Sequence, residues 1–94
     1  MLIYLSILTD EQSRSKLENI YKMYKNLMYY VAYQILHSKP DSEDAVHEAF
    51  LSIIEHIEKI SDPICAKTQS YVVTVVERKA IDIYRQKAKK LLSH

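Results

Sequence analysis

The chain has no glycine, and across its 94 residues it has only two prolines, Pro40 and Pro63. Glycine supplies the positive-φ positions of tight strand turns, so a chain without it is poorly placed to build hairpins. The apolar residues agree. They recur at spacings of three and four over long runs, which is the helical period. Both prolines fall between such runs, where helices should stop. The expected fold is all-α: a compact bundle of three main helices over about residues 10–37, 42–60 and 68–92, with a short N-terminal segment. With 48% apolar residues, the chain can fill one core, and its length suits one small domain.

The first helix has the inward stripe Leu17, Ile20, Tyr21, Tyr24, Leu27, Met28, Val31 and Ile35. Tyr29, Tyr30 and Tyr33 lie off that stripe and read as core and interface fillers. The second half of this helix is thus apolar nearly all round, as expected for the central helix. Thr9, with Gln12 three residues on, fits a capping box at its start, and the run allows a break near Ser13–Ser15.

Asp41 or Ser42 is expected to cap the second helix, with Glu43 and Asp44 at the positive end of its dipole. Val46, Phe50, Ile53, Ile54, Ile57 and Ile60 form its inward stripe. Asp44, His47, Leu51, Glu55 and Glu58 face outward, with Glu48 beside them. A leucine centred among hydrogen-bonding neighbours has the anatomy of a small interface, apolar at the centre and polar at the rim.

The third run, from Thr68 to Leu92, buries Val72, Val75, Val76, Ala80 and Ile83 on one face. The far face carries Tyr71, Thr74, Arg78, Asp82, Arg85 and Lys89, with Lys87 and Lys90 nearby. A solvated surface accounts for the charges. It does not need an aromatic ring at the top, whereas a groove for single-stranded nucleic acid uses cations in register with a stacking ring.

The formal net charge of +1 conceals a segregation. Residues 1–40 hold five basic and three acidic side chains, residues 41–66 one and seven, residues 67–94 seven and two. Two partners of opposite character would explain this. Pairing of the acidic helix with the basic one is the plainer alternative.

The single Cys65 leaves no internal disulfide and no cysteine-based zinc site, which suits a reducing cytoplasm. The opening MLIYLSIL lacks the basic n-region and cleavage site of a signal peptide and is too short to span a bilayer. No glycine-rich phosphate loop or nucleophile motif is present, so neither an enzyme nor a cofactor is expected. Asp44-x-x-His47 resembles half of a di-iron helical site. That site needs a second copy and inward carboxylates, and here both residues face outward.

Two runs resemble a known family. Asp41-Ser42-Glu43-Asp44-Ala45-Val46-His47-Glu48-Ala49-Phe50-Leu51 is similar to region 2.2 of bacterial sigma-70-type factors. Lys67 through Arg85 is similar to regions 2.3 and 2.4, and Tyr24 through Leu36 to region 2.1. The shortness of the chain resembles the extracytoplasmic-function group. The resemblance covers about residues 16–92.

What it implies is concrete. Region 2.2 docks on the clamp helices of the largest subunit of core RNA polymerase, which points to Asp44, His47, Glu48, Phe50, Leu51 and Glu55. Regions 2.3 and 2.4 recognise and melt the promoter −10 element and hold the non-template strand. That points to the loop residues Asp62, Ile64, Cys65 and Lys67, then to Thr68, Tyr71, Thr74, Arg78, Arg85 and Lys89. The loop in this group takes up a flipped-out base. An anti-sigma factor is a further partner the resemblance allows; a membrane is not expected to be one. The implied organisation is an N-terminal segment over 1–15 packing on a domain over 16–94, without the second sigma domain that reads the −35 element.

This sequence departs from the family's habits in places. His47 stands where Gln is usual, Arg78 where Asn is common, and Tyr71 where Trp is frequent. Glu77 sets an acid beside the expected DNA path. The rival from another class is a helical protein-interaction module that uses the acidic face and leaves the basic helix in solvent. A duplex-reading helix-turn-helix is disfavoured by the seven-residue loop from Ser61 to Lys67, which is longer than that motif's turn.

Overall fold

The computed structural model of the chain describes residues 10–92. They form α1 (Glu11–Leu36), α2 (Lys39–Glu55), a 3₁₀ turn (Ile57–Lys59) and α3 (Ala66–Leu92). The all-α bundle of three main helices is therefore as expected, with no strand among the described residues. The opening apolar stretch and Thr9 lie outside those residues, and with them most of the segment expected over 1–15.

α1 starts at Asp10, whose carboxylate accepts the Ser13 N–H at 3.1 Å and the Ser13 hydroxyl at 3.0 Å. Held this way, Ser13 is buried and α1 runs unbroken through Ser13–Ser15. The helix ends at His37, whose φ of 51° lies in the left-handed region. A β-carbon costs roughly 1–2 kcal/mol there, and glycine is the usual occupant. The His37 N–H donates to the Tyr33 carbonyl at 2.8 Å, closing the last turn.

α2 begins at Lys39 rather than near residue 42. Ser38 is the cap: its hydroxyl accepts the Asp41 N–H at 3.4 Å, while the Ser42 hydroxyl donates to the Ser38 carbonyl at 2.7 Å. Pro40 thus lies inside the first turn, where a missing N–H breaks no bond. Asp41 and Ser42, expected as caps, are helical residues. The other end differs too. Regular helix stops at Glu55, and the 3₁₀ turn carries Ile57 and Ile60 into the core.

The middle of α1 meets the start of α3, where the Tyr24 hydroxyl donates to the Cys65 carbonyl at 3.5 Å. An ion pair between Lys87 and Asp41 ties the far part of α3 to the start of α2. α3 therefore runs in the direction of α1 and against α2.

The core is built from Leu17, Ile20, Tyr24 and Met28 of α1, the predicted apolar stripe of α2 with its 3₁₀ turn, and Val72, Val75, Val76 and Ala80 of α3. Leu27, Val31, Ile35 and Ile83 pack on its margin. Ala32, Ala45 and Ala49, absent from the expected stripes, are fully buried. Their short side chains let neighbouring helices come close. The ring of Tyr21 lies 5.3 Å from that of Phe50, and the Lys25 ammonium sits 5.1 Å above the Tyr21 ring. Among the described residues no helix is long and apolar enough to cross a membrane.

Candidate functional site

Two surfaces carry the segregated charge. The first is the outward face of α2. Asp44, His47, Glu48 and Glu55 are exposed there, and Leu51 is half-buried among them, outside the core. The regular helix places these side chains at intervals of three and four, so the face follows directly from the sequence. Phe50 departs from its expected role. It is 0% exposed, so it supports this face from beneath and has no surface to offer a partner.

The second surface runs down α3. Thr74, Arg78, Arg85 and Lys89 are exposed along one side, and Tyr71 is half-buried at the top. Asp82, in the same stripe by spacing, also lines a groove toward α2. That groove, of about 500 Å³, sets Asp41, Asp44, His47 and Glu48 opposite Lys79, Lys87 and Lys90. The Lys87–Asp41 pair closes one part of it. The acidic and basic helices thus do meet, while Arg78 and Arg85 point to the other side of α3.

At the head of the basic stripe is a cavity of about 340 Å³, lined by His56, Lys59, Ile60, Ser61, Cys65, Lys67, Thr68 and Tyr71. It is built by the irregular chain between α2 and α3. Asp62 organises that chain: its carboxylate accepts the Ile64 N–H at 3.0 Å, and its carbonyl accepts the Thr68 hydroxyl and, at 3.4 Å, the Cys65 thiol. The Gln69 N–H reaches back to the Cys65 carbonyl at 3.1 Å and starts α3 two residues before the expected Thr68. Thr68 was expected to face a ligand. Only 5% of it is exposed, because its hydroxyl is spent on the loop. Asp62, Ile64 and Lys67 are exposed, Ile64 by 58%, and Cys65 is half-buried.

The local electrostatics follow from these contacts. The Thr68 hydrogen bonds hold the Cys65 thiol below the usual thiol range. Burial, then the charge of Glu55, pushes the Tyr71 phenol up. Burial also raises Tyr24, with Cys65 and Asp62 adding to it. Glu55, assigned by spacing to the α2 face, is therefore also felt at the mouth of the cavity.

Of the residues expected at the second surface, Cys65, Lys67, Thr68 and Tyr71 are gathered on this cavity. His56, Lys59, Ile60 and Ser61 were not foreseen. Periodicity carries the second helix to Ile60, and no spacing marks the break at His56. The turn-forming cluster Ser61-Asp62-Pro63 was the one available signal. An aromatic wall, an apolar floor at Ile60, hydroxyls and nearby ammonium groups suit a flat, hydrogen-bonding group joined to an anion. Among the described residues no cluster of His, Cys, Asp and Glu is arranged to hold a metal ion.

A family model for sigma-70 region 2 matches residues 20–90. No match to a curated protein or to a solved structure reaches significance.

Proposed function

The chain belongs to the sigma-70 region 2 family, a family of non-enzymatic transcription factor domains, and from that premise we propose that it joins core RNA polymerase to the promoter −10 element. The outward face of α2 docks on the clamp helices of the largest polymerase subunit, with Leu51 at its centre and Asp44, His47 and Glu48 around it. α3 holds the non-template strand. Arg78, Arg85 and Lys89 follow the phosphates below Tyr71, and the cavity above receives one unstacked base.

The observation that carries this reading is the position of the cavity. It opens at the top of the basic stripe, and Tyr71 belongs to both. Stripe residues three and four apart sit one helical turn from each other, about 5–6 Å, close to the internucleotide spacing of an extended strand. Guanidinium groups bond phosphate through a planar fork, and an aromatic ring stacks on any base. Phosphate contacts carry affinity, while contacts to the captured base carry preference.

The test uses core polymerase and a pre-melted promoter bubble. Arg85→Ala is expected to weaken binding to all sequences alike and to lower the salt slope by about 0.7. Exchange of residues 61–65 is expected to change the preferred −10 sequence at nearly constant slope. If both variants leave affinity and preference unchanged, nucleic-acid binding is refuted and the α2 face alone, as a protein-interaction module, becomes the better account.

A further inference from the structure

The final turns of α3 carry a second apolar stripe that the bundle does not use. Ile81, Tyr84, Ala88 and Leu91 step by three, four and three, the a/d spacing of a coiled-coil seam. Val72, Val76 and Ala80 turn another side of the helix to the core. Tyr84 is 58% exposed and Leu91 79%. With Ile81 at an a position, the flanking e and g positions are Arg85 and Lys87, both exposed and both basic.

We infer that this seam docks an amphipathic helix from another protein, acidic at its own e and g positions, as a short two-stranded coiled coil. Charge selects among occupants, because e and g residues set partner choice. A second copy of this chain in antiparallel register would set Arg85 against Arg85 and Lys87 against Lys87. In parallel register Lys87 would meet Leu92, with no opposite charge gained. An acidic helix meets both basic positions favourably. Lys87 already pairs with Asp41, but its side chain is 59% exposed and keeps donors for a second carboxylate.

The apolar positions of the seam belong neither to the α2 face nor to the cavity; Arg85 is shared with the strand-binding stripe, so Tyr84→Lys, which leaves that stripe intact, tests this inference separately from the proposed function.

The full chain is titrated with a three-heptad peptide carrying Leu at a and d and Glu at e and g. Comparison probes are the same peptide with Lys at e and g, a scrambled Glu peptide, and vesicles containing anionic phospholipid. The Glu peptide is expected to bind at least about tenfold more tightly than either peptide control. Tyr84→Lys, at an exposed position, should lower that binding at least about tenfold while circular dichroism stays unchanged. Arg85→Glu should shift preference toward the Lys peptide. The inference is overturned if the scrambled peptide binds as well, if no peptide binds, if vesicles bind through Tyr84 instead, or if sedimentation shows self-association that Tyr84→Lys abolishes.

Discussion

The outward face of α2 and the cavity at the head of α3 are built in opposite ways. The first is one side of an unbroken helix resting on the core, with Phe50 fully buried on the inward side. The second exists because the helix breaks at His56. Its walls come from a 3₁₀ turn, a loop and the first turns of α3, held in register by Asp62, Thr68 and Tyr24. A helix face inherits its geometry from the backbone period. A loop cavity depends on a few individual hydrogen bonds, which makes it easier to alter without unfolding the bundle.

The strongest way to break the comparison is at the foundation of the first surface. Phe50→Ala removes a fully buried ring. It is expected to cost about 3–5 kcal/mol in chemical denaturation, the range for a large core truncation. Both surfaces should be lost together as the bundle unfolds. A cost under about 1 kcal/mol would mean that the site collapses around the gap, and that the α2 face does not rest on this ring.

The neighbouring residue tests the surface itself. Leu51→Asp puts a charge at the centre of the acidic patch and leaves the core alone. Polymerase binding is expected to fall by at least about 1–2 kcal/mol, the scale of a modest hot spot, with the circular dichroism spectrum retained. Unfolding would show instead that Leu51 belongs to the core.

The loop surface should respond differently. Thr68→Val keeps shape while removing the hydroxyl that donates to the Asp62 carbonyl. The expected stability loss is about 0.5–1.5 kcal/mol, typical of one net hydrogen bond. The discriminating readout is functional: bubble binding should weaken while polymerase binding stays unchanged. Equal loss of both would mean that the two surfaces are not separable.

How much of this was legible in the sequence tracks the same contrast. The large apolar residues of the inward stripe of α2, from Val46 to Ile60, are all legible, because a buried face repeats with the helical period. The outer stripe of α3 was legible for the same reason. Ala32, Ala45 and Ala49 are not, since a short side chain leaves a weak hydrophobic signature, though the same spacing does mark Ala80. Pro40 misled in a specific way. It was read as a stop, yet proline is tolerated in a first helical turn, and Ser38 provided the cap. The cavity was least legible. His56 and Lys59 reach it only through the local break, and the Asp62 bonds that shape the loop are decisions of tertiary geometry that no spacing encodes.

The smallest expected effect concerns the Lys87–Asp41 ion pair between the acidic helix and the basic one. Its hydrogen bond to Lys87 holds the Asp41 carboxyl below the ordinary carboxylate range, with the Lys87 charge and Ser38 acting in the same direction against desolvation. A carboxyl depressed in the folded state binds protons less readily there than in the unfolded chain. Its contribution to stability is therefore present above the unfolded value, near 3.8, and is lost as pH falls through the lower folded value. Other carboxylates titrate in the same window, so the useful quantity is a difference. The stability gap between the parent chain and Asp41→Asn should be widest near neutral pH, close as the solution is acidified below about 4, and shrink in high salt, because the Lys87 end of the pair is open to solvent. A gap that stays constant from neutral to strongly acidic pH would mean that Asp41 stabilises the first turn of α2 by something other than its charge. The Lys87–Asp41 pair would then contribute nothing to holding the two oppositely charged helices together.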